Sequence, residues 1–138
     1  EMAKRGTHLN PTMTGIRGAA KADPNAKYWD MLQERVFSKQ EQGMRWAKAA
    51  GILIGAGTDT AGTLRDEIAM IADTLGEGPV EAIGRATGTN AIIAKRDDMG
   101  LLEVGRLANI AAFDGDLTKS LDGLARVVQT WKDGTPCK

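Results

Sequence analysis

The sequence predicts an α/β protein in which βαβ pieces are followed by a small β unit. Three observations carry this. The apolar run from Ile52 to Ala56 is short, rich in Ile and Leu and bounded by Gly51 and Gly57, which suits a strand buried on both faces. Segments of helical period lie on both sides of it. After residue 97 the pattern changes, and residues 100–103, 107–113 and 127–132 read as short strands separated by Gly and Asp turns.

The elements follow in order. Glu1 to Arg5 reads as the last turn of a helix stopped by Gly6. Residues 7–13 alternate loosely and reach Pro11, as in a short strand running into a loop. Residues 16–22 are rich in Gly and Ala and read as irregular. Asp23-Pro24 starts a helix, with Asp as N-cap and Pro in the first turn, and Trp29, Leu32 and Val36 give it one apolar face. Ser38-Lys39-Gln40-Glu41 has the capping-box pattern and suggests a second helix through Met44, Ala47 and Ala50. Past the strand at residues 52–56, Thr63 caps a helix with apolar positions Leu64, Ile68, Ile71 and Leu75, and Gly76 ends it. Gly78-Pro79 opens another, with Val80 and Ile83 facing inward. Thr89-Asn90 starts a further short helical turn through residues 91–94. Asp133-Gly134 is a turn signal.

Composition bounds the function. The 138 residues suffice for one domain, with 42% hydrophobic and 26% charged residues, so the chain is not of the disordered type. Lys plus Arg and Asp plus Glu number 18 each, and this balance argues against nucleic acid or an anionic membrane as partner. The lone cysteine, Cys137, has no internal partner, and no CxxC pair of a zinc or redox site occurs. No apolar run approaches the roughly 20 residues of a membrane span. No signal peptide is visible, and the expected compartment is the cytoplasm.

Among the candidate functional residues Asp59 leads. It closes the stretch Gly55-Ala56-Gly57-Thr58-Asp59, just past the C-terminal end of the buried run. That is where catalytic or metal-binding groups of α/β barrels sit. The plainer alternative is an Asx turn. Thr58 and Thr60 read as backbone hydrogen-bonders that fix this turn. His8 is the one histidine and reads either as a structural histidine or as a substrate contact. Asn10 and Thr12 stand near the end of the same strand, and Tyr28 reaches the site if residues 15–37 form a lid. Trp29 and Trp46 read as packing, and Glu67 and Glu81 as capping or salt-bridging carboxylates. Neither GxGxxG nor GxxxxGK[ST] occurs among the 17 glycines, which argues against a nucleotide-binding oxidoreductase.

A family resemblance rests on motifs in order. Gly51-Ile52-Leu53-Ile54-Gly55-Ala56-Gly57-Thr58-Asp59-Thr60 resembles the eighth barrel strand of the metal-dependent amidohydrolases. Gly78-Pro79-Val80-Glu81-Ala82-Ile83, then Ala86-Thr87 and Asn90-Ala91, resemble the family's following helix pair. Gly100-Leu101-Leu102-Glu103-Val104-Gly105-Arg106-Leu107-Ala108-Asn109-Ile110 is similar to a strand of its second domain, and residues 127–134 to the closing strand and turn. Asn10-Pro11-Thr12 resembles the preceding strand of the imidazolonepropionase- and prolidase-like branch.

The resemblance implies the C-terminal part of a (β/α)8 TIM barrel over residues 1–97, and the C-terminal part of a composite β-sandwich over residues 98–138. It implies hydrolysis of a C–N bond in an amide, lactam or peptide-like small molecule, with one or two divalent metals, usually zinc. In the resemblance Asp59 both ligates the metal and takes the proton from the attacking water. His8 is the candidate substrate contact. The family's other metal ligands fall upstream of the matched motifs, and a catalytic zinc needs about three protein ligands. The expectation is therefore a fragment, inactive alone, whose partner is the missing N-terminal part of the barrel on the same or a separate chain. A homo-oligomer and a non-catalytic binding or scaffold fragment remain alternatives. Asn109 stands where the family usually has Asp, which reads as structural detail, and Leu64-Arg65 stands where many members carry a His.

Overall fold

A computed structural model describes residues 1–15, 17, 28–59 and 62–138, with the side chains of Trp29 and Asp30 excepted. The predicted helix start at Asp23-Pro24, most of the irregular stretch 16–22, Thr60 and the packing of Trp29 lie outside the described residues. The helices are α1 (Trp29–Leu32), α2 (Ser38–Ala49), α3 (Leu64–Leu75), α4 (Pro79–Gly84) and α5 (Asn90–Ile93). The strands are β1 (Ile110–Phe113), β2 (Val127–Lys132) and β3 (Thr135–Pro136).

Two segments ahead of the sheet run side by side. Leu9 and Ile54 form a parallel bridge, in which Leu9 N–H donates to Leu53 O and Gly55 N–H to Leu9 O, both at 2.9 Å. Each predicted strand is reduced to this one bridge, and at Met13 the first already turns into a helical turn over residues 13–15. Ile54, Gly55 and Ala56 are buried, as the apolar run requires. Ile54 and Ala56 join Met13, Met44, Ala47, Ile68, Ile71, Ala72 and Ala82 in the core. Full burial of a side chain such as Ile71 contributes about 1.5–3 kcal/mol.

Helix α3 forms as its signals require. Thr63 accepts from Asp66 N–H at 3.1 Å, and Gly76 closes the helix in the left-handed region at φ 63°. Its inward face is Glu67, Ile68, Ile71 and Ala72, while Leu64 is exposed. Two predicted helix starts, one of them from a capping pattern, continue from the preceding turn. Ser38 follows a π-helical turn, Gln33–Phe37, without a break, and its hydroxyl donates to the Glu34 carbonyl one turn back. The Ser38–Glu41 pattern is thus absorbed into one continuous helix, anchored by the fully buried Phe37. Asn90 likewise continues from α4 through the π-helical turn Arg85–Thr89. In α4 the inward residue is Ala82, and Val80 faces outward. Trp46 is also an expectation the fold reverses: α2 buries Met44 and Ala47 and leaves Trp46 68% exposed.

The β unit is a three-stranded antiparallel sheet in the order β1-β2-β3. Ile110 pairs with Trp131 and Phe113 with Val127, with an irregularity between Ala112 and Phe113. The turn joining β2 to β3 has Asp133 at φ 50° and Gly134 at φ 79°, the two positive angles of a type I′ hairpin. Asn109 Oδ1 accepts from Asp133 N–H at 2.9 Å, so that side chain holds this turn. Residues 100–103 form no strand. Gly100 and Gly105, at φ 90° and 93°, turn the chain back, and Arg106 binds the carbonyls of Asp97 and Met99. Val127 and Val128, adjacent and so on opposite faces of β2, are both exposed, as are Leu102 and Val104. No helix among the described residues is long and apolar enough to cross a membrane.

Candidate active site

The parallel bridge aims both segments the same way, and the residues beyond it gather at one end. Asp59 lies five residues past Ile54 with an exposed side chain. The turn at residues 13–15 lies against it, since a Cβ added to Gly15 would sit 3.5 Å from Asp59 Cβ. Asn10 is beside Gly57, where an added Cβ would meet its Nδ2 at 2.9 Å. Thr58 is exposed. His8 is exposed and stands one residue before the bridge, so the register carries it away from the end that holds Asp59. Tyr28 is exposed at the edge of the segment whose larger part lies outside the described residues.

Two polar groups hold the backbone that leads to Asp59. The Asn90 amide pairs with Ala56 as a neighbouring strand would: Oδ1 accepts from Ala56 N–H at 3.1 Å and Nδ2 donates to Ala56 O at 2.6 Å. Gly55 makes room for it, because an added Cβ would come within 2.2 Å of Asn90 Oδ1. Sequence reasoning missed this role: Asn90 read as a helix start, and nothing local to it points to Ala56. Asn90→Ala leaves both backbone groups of a buried residue unpaired. It is expected to cost about 2 kcal/mol in stability, read by denaturant unfolding, and Gly55→Ala, which forces the same contact apart, at least as much.

The second group is Glu67, the largest polar side chain among the fully buried residues. Its Oε1 accepts from Met13 N–H at 2.9 Å, and its Oε2 accepts from Thr14 N–H at 2.8 Å and Thr14 Oγ1 at 2.9 Å. It is a capping carboxylate, but of the turn after the first bridged segment and not of its own helix. Further down, Arg85 forks onto Glu77 and also donates to Ile54 O at 3.0 Å, while Lys48 reaches Glu77 at 2.8 Å. The Arg85 guanidinium, followed by Lys48, holds the Glu77 carboxyl below its ordinary range against the opposing effect of burial.

Among the described residues no group of three or more His, Cys, Asp or Glu side chains is placed to hold a metal ion. Asp59 is a single carboxylate, and a catalytic zinc takes about three protein ligands. The described residues therefore do not by themselves fit a metal.

The chain belongs to the amidohydrolase family, whose model it matches over residues 1–137. It is similar to a solved amidohydrolase at 27% identity and TM-score 0.78, with 99% of this chain and 35% of that one covered. It is also similar to a putative prolidase from Bifidobacterium longum, at 26% identity and TM-score 0.80, covering 95% and 35%. A third similar structure is a Xaa-Pro dipeptidase with bound methionine in its active site, at 25% identity and TM-score 0.79, covering 99% and 36%. The chain spans about a third of the length of these proteins. No curated protein matches it significantly.

Proposed function

We propose that this chain is the C-terminal part of a metal-dependent hydrolase that cleaves a C–N bond in an amide, lactam or peptide-like small molecule. Residues 1–97 supply the last strands and helices of a (β/α)8 barrel. Residues 98–138 supply the C-terminal part of a composite β-sandwich. The observation that carries the reading is Asp59, a carboxylate just past a buried, parallel-bridged segment in a chain of the amidohydrolase family. The prolidase-like neighbours favour a dipeptide-like substrate.

In this reading Asp59 has two roles, one ligand of a divalent metal such as zinc and acceptor of the proton from the attacking water. The water oxygen bonds to the substrate carbonyl carbon while its proton passes to an Asp59 oxygen; the C–N bond then breaks, and the same proton goes to the leaving nitrogen. The remaining ligands come from the N-terminal part of the barrel, on the same or a separate chain. His8 enters as a substrate contact on the family resemblance alone, since the register carries it away from the end that holds Asp59. The exposed Trp46, Leu102, Val104 and Val128 are free to meet a partner.

The test is made on the 138-residue chain itself. It is expected to bind little or no stoichiometric zinc, to hydrolyse no dipeptide, and to aggregate or associate tightly with the missing barrel segment. Metal analysis and size-exclusion chromatography read these outcomes. A well-behaved monomer with one tightly bound metal contradicts the reading, and a stable zinc-free monomer favours a binding or scaffold role.

A further inference from the structure

We infer that Glu67 is a positioning residue for Asp59, acting through Thr14 and the turn at residues 13–15. The inference rests on the catalytic reading of Asp59. Glu67 stands in the first turn of α3, eight residues after Asp59, and its carboxylate is fully buried. Three donors converge on it, and all three belong to Met13 and Thr14. Across the same turn, Gly15 faces Asp59, since a Cβ added there would sit 3.5 Å from Asp59 Cβ. The turn is thus held between the two carboxylates, one gripping its amides and the other lying on its outer side.

Two further observations close the circuit. Thr14 packs so tightly on Gly62 that an added Cβ there would come within 2.4 Å of Thr14 Cβ, and Gly62 itself has φ 89°. The Thr14 side chain is therefore fixed between Glu67 and Gly62. Thr12, just before the turn, has φ 45°, a left-handed angle that a β-branched residue rarely adopts. Such strain persists only where neighbours impose it, and it collects at functional sites. Here Gln40 Nε2 donates to Pro11 O on one side at 2.9 Å, and Glu67 takes the Met13 amide on the other. An apolar side chain at position 67 would fill the core without the cost of burying a carboxylate. What it could not do is orient two backbone amides and a hydroxyl, and that orientation sets the wall against which Asp59 rests.

The experiment uses the complete barrel enzyme. Glu67→Gln keeps the shape but turns one oxygen into a donor facing donors. Thr14→Val removes the hydroxyl alone, and Thr14→Ser restores it. Glu67→Gln and Thr14→Val are each expected to lower kcat by about tenfold to a hundredfold with little change in KM, the size a misplaced catalytic group produces. Thr14→Ser recovers most of the lost rate, and the double variant is no worse than Glu67→Gln alone. Hydrogen exchange at the Met13 and Thr14 amides should quicken, and residues 57–59 should follow. Ile71→Val, a core change that leaves the Glu67 and Thr14 polar groups in place, serves as the stability control. The inference is overturned if the Glu67 and Thr14 variants keep kcat below their melting temperatures, or if Ile71→Val at matched melting temperature loses as much. Asp59→Asn in the same enzyme separates the premise from the inference. If that variant stays active, the catalytic reading of Asp59 fails and this inference goes with it. If it is inactive while the Glu67 and Thr14 variants are not, the positioning role alone fails.

Discussion

Asp59→Asn in the complete enzyme is expected to lower kcat by roughly 10²–10⁴-fold, the range of a lost general base, and to leave the fold intact. The physical case has two halves. Asn matches Asp in shape but accepts no proton at neutral pH and is a poor metal ligand, so both proposed roles are lost together. The side chain is exposed, and Gly15 faces its Cβ, an arrangement Asn keeps. A surface change of this kind shifts stability by no more than about 0.5 kcal/mol. The backbone that carries Asp59 is meanwhile fixed from behind, by the Leu9–Ile54 bridge and by the Asn90 amide on Ala56. Activity against dipeptide and lactam substrates, measured beside circular dichroism and thermal melting, checks the prediction. A folded and fully active Asp59→Asn enzyme would sink the assigned role. An unfolded one would show instead that Asp59 is a structural residue.

What the residues disclosed in advance follows from how local each determinant is. Helix α3 was legible because Thr63, the Ile68 and Ile71 spacing and Gly76 all lie within or beside its own span. The hairpin turn was legible because Asp133-Gly134 tolerates two positive φ angles almost independently of context. Ser38 misled because a capping pattern is silent about what precedes it, and Phe37, buried in the core, draws the helix straight through. The strand expected at residues 100–103 failed for the opposite reason. Its apolar character is real, but two glycines at positive φ and the reach of Arg106 to carbonyls seven and nine residues back turn it into a loop. At the candidate site, Asp59 could be singled out because a buried run points to it. The roles of Glu67 and Asn90 could not, since each acts on a segment distant in the chain, Glu67 on residues 13 and 14 and Asn90 on residue 56.

The ion cluster beneath the site should give the largest stability effect, and one that depends on pH. Glu77→Gln is expected to destabilise the protein by about 3 kcal/mol at pH 7, the upper end of the range for hydrogen bonds to a charged group, since it breaks the Arg85 fork in a part-buried site. The Glu77 side chain is 7% exposed and that of Arg85 16%, so salt screens their contact weakly. Gln in place of Glu removes the charge and one of the two acceptor oxygens, so the fork is lost, and Arg85 and Lys48 share one neutral oxygen besides the Ile54 and Leu75 carbonyls. The pH dependence follows from the direction of the shift. The folded Glu77 carboxyl is held below its ordinary value of 4.5, first by the Arg85 hydrogen bond, so its contribution is fully present above that value. That contribution fades as pH falls through the lower folded value, because the unfolded chain then binds the proton more readily. Wild type and Glu77→Gln should therefore differ widely in urea unfolding at pH 7 and converge in acid. A gap of equal size at both ends would show that Glu77 acts by shape and not by charge. Because Arg85 also holds Ile54 O, loosening this cluster releases a constraint on the segment that ends at Asp59. Activity should then fall at temperatures where the wild type still works, ahead of global unfolding.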